Sequence, residues 1–258
     1  MKKTDTGINI LYEDGDIIVV EKPYGISSQT ERGSSQDMVS LLMNYFHQSA
    51  ANQVSYVGVV HRLDKNTGGV MVYAKNKSAA AKLSSQISDR EAVKKYYAVI
   101  YHGEKLSEKG MMRDFLIRDG KTNTSRVASE NEKNNKAAKK AELSYKLIGS
   151  ADISNQSLYL ADITLHTGRH HQIRVQFSHR GCPLVGDRKY GGGENIDGNS
   201  ENKCFENFYP EKSCLENKGL KNLGLYCYSM TFKHPVSGKL MTFEKKPENS
   251  LFNMFNLI

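Results

Sequence analysis

The chain has 258 residues, 38% of them hydrophobic, and a formal net charge of +8 at neutral pH. A chain of this length can bury a substantial core, and it contains no apolar run near the roughly 20 residues that span a bilayer. No apolar signal-peptide segment follows the first two lysines, so we expect a cytoplasmic protein. The excess of cations favours a polyanionic partner such as nucleic acid, but charge by itself does not identify one.

Hydrophobic periodicity predicts alternating strands and helices in the first hundred residues. The predicted elements are two strands within 8–21 around an Asp14-Gly15 turn, a helix over 37–47 capped by Ser34 or Ser35, strands at 57–60 and 70–74, a helix over 78–88 with Ala79, Leu83 and Ile87 on one face, and a strand that starts at Lys94.

The second half of the chain reads mostly as strands. Residues 119–141 are polar and poor in apolar side chains, which predicts a long, mobile, mostly basic loop or hairpin arm. The other predicted elements are strands at 143–148 and 157–165, a helix over 168–180 that Thr167 caps and Gly181 closes, a polar insertion at 191–222, strands at 223–232 and 239–246, and an amphipathic tail from Ser250.

No internal repeat occurs at a fixed period, and no linker divides two cores. We therefore predict a single domain over 1–258 of α+β class, mostly sheet, with its core at 9–247 and polar insertions at about 119–141 and 191–222.

The segment HRLDKNTGGVMVYAK, residues 61–75, places one acid, Asp64, between Arg62 and Lys65. These cations favour the charged form of the carboxyl group, which suits a nucleophile or a charge stabiliser better than a general acid. If Asp64 is buried it needs a cation as a partner, and an arginine is the natural one. The alternative is an exposed turn in which the charges cancel.

A second basic segment, HTGRHHQIRVQFSHRG, covers residues 166–181. On the predicted helix an arginine could leave the surface and meet a buried acid, whereas the alternative is a basic, solvated helix. A metal site is a rival interpretation, because two of its histidines are four residues apart. No glutamate of the H-E-x-x-H type and no cysteine cluster supports zinc, so we expect no metal. The histidines concerned are His166, His170, His171 and His179.

Tyr96 lies on the strand predicted from Lys94. It can be a strand aromatic that packs in the core, or a platform on which a base taken out of RNA stacks. The sequence has no nucleophile elbow, phosphate-binding loop or dinucleotide fingerprint, so no cofactor is expected.

Three separated segments resemble, in order, the three motifs of the RluA-type pseudouridine synthases: HRLDKNTGG at 61–69, KKYYAV at 94–99 and LHTGRHHQIR at 165–174. The runs DIIVVEKPYG (16–25), GCPLVGDRKYG (181–191) and LGLYCYSMTFKHP (223–235) extend the resemblance to about 9–247. Two departures are visible. Gly68 stands where Ser or Thr is usual, which we expect to loosen that turn, and Tyr226-Cys227 stands where His-Ala is usual.

The resemblance implies the pseudouridine synthase fold, a mixed, mostly antiparallel sheet with flanking helices and a central RNA-binding cleft. It implies that the protein isomerises specific uridines in ribosomal or transfer RNA and needs no cofactor. It also implies a monomer that binds no membrane and needs no protein partner. It also implies that this sequence lacks the small N-terminal RNA-binding domain of many relatives. A catalytically inactive RNA-binding relative stays open as an alternative.

By the same resemblance Asp64 is the catalytic aspartate, Tyr96 the active-site tyrosine and Arg174 the basic partner of Asp64. Arg62 helps to extrude the target base. We expect substrate-binding roles for His61, Arg62, Thr67, Lys94, Arg169 and Gln172. Whether Asp64 attacks the sugar, attacks the base or removes a proton from carbon 2′ is left open by the sequence.

Overall fold

The computed structural model describes residues 2–3, 7–30, 36–48, 56–101, 106–153, 156–191 and 222–256. The chain divides into two compact units: unit 1 comprises Met1–Lys95 and Tyr226–Pro247, and unit 2 comprises Tyr96–Leu225 and Glu248–Ile258. The expectation of a single catalytic domain stays a prediction. The part of the second predicted polar insertion that covers 192–221 lies outside the described residues.

The described residues form strands and a few helices in the following order. The strands are β1 Lys2–Lys3, β2 Asn9–Glu13, β3 Ile17–Lys22, β4 Gly58–Val59, β5 Gly68–Ala74, β6 Val93–Tyr101, β7 Lys109–Asp119, β8 Thr124–Val127, β9 Lys139–Ile153, β10 Gln156–Leu165, β11 Leu225–Lys233 and β12 Leu240–Glu244. The helices are α1 Met38–Gln48, α2 Lys77–Ser88, α3 Gln172–His179 and α4 Ser250–Asn253, with a 3-10 turn at Glu130–Glu132.

In unit 1 the strand order is β1-β2-β3-β5-β11, with β4 on β5 and β12 on β11. β5 runs parallel to β11 and antiparallel to β3, so it is the central strand of a mixed sheet. All seven residues of β5 are buried, as expected for an apolar run covered on both faces. α2 packs on this strand and completes a core of Ile17, Val19, Val70, Val72, Ala74, Ala79, Leu83, Met230 and Phe232.

Both helices predicted in unit 1 are confirmed, and side chains cap their first turns. The buried face of α1 carries Met38, Leu41, Leu42 and Phe46. Its predicted caps Ser34 and Ser35 lie outside the described residues; the Asp37 carboxylate accepts from the Ser40 backbone N–H at 3.0 Å. In α2 the Asn76 side chain accepts from the Ala79 N–H at 2.8 Å.

In unit 2 the strand order is β6-β10-β9-β7-β8. The pairs β10–β9, β9–β7 and β7–β8 are antiparallel, and β9 and β10 are longer than the sequence predicted. For residues 119–141 the hairpin alternative is confirmed at the start of the segment. β7 ends at Asp119, β8 returns over Thr124–Val127, and β9 begins at Lys139.

The start of α3 was predicted wrongly. The helix begins at Gln172 rather than 168, because His171 takes a left-handed conformation with φ 52° immediately before it. Thr167 does not cap the helix: its hydroxyl accepts from the Glu142 N–H at 2.8 Å and donates to Gln172 Oε1 at 2.7 Å. The predicted end is confirmed, since Gly181 follows with φ 74°.

The alternative of a basic, solvated α3 is also wrong, because six consecutive residues from Gln172 to Phe177 are buried. Among the described residues, no helix combines the length and the hydropathy needed to cross a membrane. The α+β class with a mixed, mostly antiparallel sheet is confirmed, and the central RNA-binding cleft stays a prediction.

Candidate active site

The loop that carries Asp64, residues 61–67, enters β5 in unit 1 and is fixed to neighbouring backbone at several points. Ser28 Oγ donates to the Leu63 carbonyl at 2.7 Å and accepts from the Leu63 N–H at 3.0 Å. The Lys65 carbonyl accepts from the Gly25 N–H at 2.8 Å, and the Thr67 N–H donates to the Asp64 carbonyl at 2.9 Å. Asp64 itself is half-buried, whereas Arg62 and Lys65 are exposed. The loop therefore presents its carboxylate from an anchored backbone.

Lys22, at the end of β3, is a buried basic residue that bonds to this loop. Its side chain is fully buried, and its ammonium donates to the carbonyls of Pro23, Ile26 and Lys65 at 2.9, 2.6 and 3.1 Å. Burial lowers the pKa of Lys22 to about 7, and the negative charge of Asp64 opposes that fall. Three acceptors use all three ammonium donors, so Lys22 joins the loop to the turn after β3.

His61 and Thr67 stand at the two ends of the loop, and both are buried. His61 Nε2 accepts from the Val72 N–H at 3.1 Å, so the ring proton of the neutral imidazole lies on Nδ1. Burial, followed by the charge of Lys94, lowers the pKa of His61 to about 3, and burial likewise lowers the pKa of Lys94. Within the described residues His61 Nδ1 and Thr67 Oγ1 have no hydrogen-bond partner.

The two glycines after the loop are tightly enclosed, contrary to the expectation that Gly68 loosens the turn. Gly68 is buried, and a Cβ there would lie 2.8 Å from Tyr24 Cε2 and 3.1 Å from Tyr226 Cδ2. Gly69 has φ +126°, and a Cβ there would lie 2.2 Å from the Cys227 carbonyl oxygen. Glycine at 68 therefore makes room for aromatic rings, and glycine at 69 makes room for backbone.

In unit 2, Arg174 of α3 is buried and does meet a buried acid. Its Nε and Nη2 donate to the two carboxylate oxygens of Asp187, each at 2.7 Å. The guanidinium carbon also lies 5.0 Å from the centre of the Tyr190 ring. The Asp187 side chain has no exposed surface, so this bidentate pair fixes the direction of the guanidinium.

Gln172 and Arg169 connect α3 to strand β9. Gln172 Oε1 accepts from the Arg169 N–H at 3.0 Å, and its Nε2 donates to the Glu142 carbonyl at 3.1 Å. Arg169 Nε donates to the Lys140 carbonyl at 2.9 Å. These bonds shape the segment that leads into α3; substrate contacts by Gln172 and Arg169 stay predictions.

The predicted site residues fall into two groups. Unit 1 holds His61, Arg62, Asp64, Thr67 and Lys94, and unit 2 holds Tyr96, Arg169, Gln172 and Arg174. Tyr96 is 5% exposed on β6, which fits a core aromatic and leaves its stacking role a prediction. The pairing of Asp64 with Arg174 also stays a prediction, since the two residues belong to different units.

In the described residues, the histidines of the second basic segment form no group of three possible metal ligands. His166 bonds to the Ser144 hydroxyl, His170 to the Ser125 hydroxyl and His171 to the Tyr190 hydroxyl, at 3.0, 2.9 and 2.7 Å. The rings of His170 and His171 stack on each other, 3.7 Å apart, and His179 is exposed at the end of α3.

A different group, Asp14, Asp16 and His234, is the one set of three acidic or histidine side chains in the described residues that could share an ion. His234 Nδ1 accepts from the N–H groups of Val236 and Ser237, so the ring proton lies on Nε2, which donates to Asp14 at 2.8 Å. A ring in this tautomer offers no lone pair to a metal, and the group reads as a structural hydrogen-bond cluster.

Sequence reasoning gave no role to Lys22, Ser28 or Asp187. Lys22 and Asp187 lie within the runs DIIVVEKPYG and GCPLVGDRKYG, whose resemblance to the family indicates no role for either residue. The available signal was a charged residue inside each of these runs.

The model of the RNA pseudouridylate synthase family matches residues 16–179. The chain therefore belongs to the RNA pseudouridylate synthase family, and its enzyme class is RNA pseudouridine synthase, an isomerase.

Two relatives show how far the similarity extends. The protein named Uncharacterized RNA pseudouridine synthase in Aquifex aeolicus (strain VF5) is 34% identical over 251 residues, which cover 96% of this chain and 72% of that protein. Ribosomal large subunit pseudouridine synthase C of Rickettsia felis (strain ATCC VR-1525 / URRWXCal2) is 35% identical over 189 residues, which cover 72% of this chain and 56% of that protein.

Solved structures support the fold. Human RNA Pseudouridylate Synthase Domain Containing 1 superposes with a TM-score of 0.70 at 19% identity, over 99% of this chain and 90% of that one. Human RNA Pseudouridylate Synthase Domain Containing 4 superposes with a TM-score of 0.71 at 21% identity, over 95% of this chain and 90% of that one. The pseudouridine synthase fold predicted from the motifs is confirmed.

Replacing Lys22 with methionine is expected to remove a pH-dependent part of the stability. The folded chain binds the Lys22 proton less tightly than the unfolded chain, so the free energy of unfolding of the wild type rises with pH from about 7 to about 10.5. The Lys22→Met variant lacks this rise, which amounts to a few kcal/mol by order of magnitude. Denaturant unfolding of both proteins at several pH values measures the difference. Lys82→Met, on the exposed side of α2, is the control; equal pH dependence in all three proteins would contradict the prediction.

Proposed function

We propose that this protein converts specific uridines in RNA to pseudouridine, with Asp64 as the catalytic carboxylate. The observation that carries the proposal is the loop at 61–67, whose backbone is fixed by Ser28, Gly25 and Lys22. A half-buried carboxylate on a fixed backbone, close to the buried side chain of Lys22, is held in a defined direction, as a nucleophile or charge stabiliser requires.

The proposed reaction breaks the bond between uracil N1 and ribose C1′, rotates the base, and forms a bond between C5 and C1′. C5 then loses its proton and N1 gains one, so the product is an isomer of uridine. A carboxylate can capture or stabilise the electron-poor C1′, as in retaining glycosidases, or it can take a proton. No electron and no group leaves the substrate apart from that exchanged proton, so we propose that the reaction needs no cofactor.

We propose roles for two residues of unit 2 as well. Arg174 would neutralise and orient the Asp64 carboxylate, and its bidentate bond to Asp187 supports this role because it fixes the guanidinium. Tyr96 would stack on the flipped base, in line with the use of aromatic rings as base platforms.

Large-subunit ribosomal RNA is the proposed substrate, with the enzyme acting as a monomer in the cytoplasm. The names of two relatives, ribosomal large subunit pseudouridine synthases C and D, support the choice of RNA. The net charge of +8, the exposed Lys121 and Lys136 between β7 and β9, and the exposed Lys139 at the start of β9 support binding to phosphates without base readout.

Release of tritium from RNA labelled at uracil C5 tests the proposal. We expect release from the RNA of a strain that lacks this gene, without added metal or nucleotide, and loss of defined pseudouridines from large-subunit RNA in that strain. If the protein binds RNA but releases no tritium, the alternative of a catalytically inactive RNA-binding relative is favoured. If the strain loses pseudouridines only from transfer RNA, the proposed substrate is wrong.

A further inference from the structure

The side chain of Tyr226 crosses the first residues of β5. Tyr226 lies on β11, where it pairs with Gly68, and β5 lies between β11 and β3. Its hydroxyl nevertheless donates to Glu21 Oε1 on β3 at 2.6 Å. The ring must therefore pass over β5 to reach the far neighbour of that strand.

Gly68 is what allows this crossing. A Cβ at Gly68 would lie 3.1 Å from Tyr226 Cδ2, and 2.8 and 3.1 Å from Tyr24 Cε2 and Cδ2. Real Cβ atoms do not approach other heavy atoms as closely as 2.8 Å, so any larger residue at 68 must displace a ring. The two departures from the family pattern noted in the sequence, at 68 and at 226, thus meet in one contact.

The crossing is well anchored at its far end. Glu21 uses its second oxygen to accept from Asn9 Nδ2 at 2.8 Å, which fixes the carboxylate that receives the Tyr226 hydroxyl. Burial and the nearby Glu21 charge raise the pKa of Tyr226 far above its usual range, so the hydroxyl remains a donor at any working pH. The Tyr24 and Tyr226 rings lie 6.1 Å apart, centre to centre, on the same glycine.

This contact lies where the Asp64 loop ends. Gly68 follows the loop directly, and Gly25, next to Tyr24, donates to the Lys65 carbonyl at 2.8 Å. Hydrogen bonds at Leu63 and Lys65 fix the first half and the middle of the loop. Tyr226 packs against the residue at which the loop ends.

We propose that Tyr226, bonded to Glu21 across Gly68, is a positioning residue that holds the exit of the Asp64 loop. We call this arrangement the tyrosine strap; it comprises Glu21, Tyr24, Gly68 and Tyr226. The inference rests on the proposed function of Asp64. Because the strap acts through the loop and touches no reacting atom, its loss lowers kcat while KM stays close to the wild-type value.

The test compares Tyr226→Phe, which keeps the ring and loses the bond to Glu21, with Tyr12→Phe, which loses a hydroxyl bond to the Asp14 carboxylate away from the Asp64 loop. We expect kcat to fall about tenfold in Tyr226→Phe with KM within about twofold, and Tyr12→Phe to stay near wild type. Hydrogen exchange of the 62–68 amides, which needs no activity, should accelerate in Tyr226→Phe and not in Tyr12→Phe.

A second pair of variants tests the crowding at Gly68. We expect Gly68→Ala to lower kcat about tenfold, and the double variant Gly68→Ala/Tyr24→Ala to recover most of that loss, because the second change vacates the space that the methyl group needs. Gly15→Ala is the matched control, since a Cβ there meets nothing within 4 Å.

Unchanged kcat and unchanged amide exchange in Tyr226→Phe and Gly68→Ala would overturn the strap. A fall in kcat/KM that comes only from a higher KM in Tyr226→Phe and Gly68→Ala would also overturn the strap. That result would indicate that these residues form a surface that binds substrate. A wild type that releases no tritium would instead refute the proposed function, and the amide exchange would still decide whether the strap holds the loop.

Discussion

Asp64→Asn is expected to abolish uridine isomerisation and to leave RNA binding nearly intact. The amide keeps the size of the carboxylate but can neither carry its negative charge nor act as a nucleophile or base. The backbone bonds of the loop at Leu63, Lys65 and Thr67 do not involve the Asp64 side chain, so the loop should keep its shape. Phosphate contacts elsewhere on the protein should keep the affinity for RNA.

Tritium release and filter binding on the same RNA measure the two effects. Asp89→Asn, at the exposed end of α2, provides the same chemical change away from the loop and should retain full turnover. Residual turnover of Asp64→Asn within about tenfold of the wild type would remove Asp64 from the catalytic role. A parallel loss of RNA binding would indicate that the substitution disturbed the loop rather than the chemistry.

Gly69→Ala is expected to be among the most destabilising single changes in the chain. Its backbone has φ +126°, a conformation that L-residues rarely adopt, and the added Cβ would meet the Cys227 backbone at 2.2, 2.6 and 2.7 Å. Backbone on a neighbouring strand cannot rotate away as a side chain can. We expect a loss in the free energy of unfolding above about 4 kcal/mol, enough to unfold a marginally stable domain.

Gly238→Ala separates the two causes of this loss. Gly238 also has a positive φ, +69°, but a Cβ there meets nothing within 4 Å. It should therefore show the backbone strain alone, about 1–2 kcal/mol. Denaturant unfolding of both variants gives the comparison, and similar losses in the two proteins would show that β5 and β11 can separate to admit a side chain.

The strands and the first two helices could be predicted because their signals are local. The continuous apolar run of β5 and the buried face of α1 each follow from residues a few positions apart. The motif with Asp64 was also recognisable, since its charge pattern and its glycines lie within nine residues, 61–69.

The errors come from bonds between residues far apart in the chain. Thr167 resembled a helix cap, but its hydroxyl bonds to Glu142, 25 positions away. Lys22 resembled the polar end of a strand, but the Lys65 carbonyl that it reaches is 43 positions away. Such partners become visible only once the sheet brings their strands together.

Gly68 is a further case in which distant residues decide the local structure, because they restrict a position that the local sequence suggests is flexible. A glycine beside another glycine suggests freedom, and the sequence offers no local reason to expect otherwise. The rings that enclose it come from Tyr24 and from Tyr226, whose hydroxyl partner Glu21 lies 205 positions away.

Because the Lys22 ammonium is enclosed, its chemical reactivity can report on opening of the Asp64 loop. All three of its donors are occupied and its side chain is fully buried, so an acylating reagent should label the surface lysines of the native protein first. Acyl groups would reach Lys22 only when the turn after β3 separates from the Lys65 carbonyl. The rate of label uptake at this one position, read by peptide mass, would therefore time the opening of the Asp64 loop.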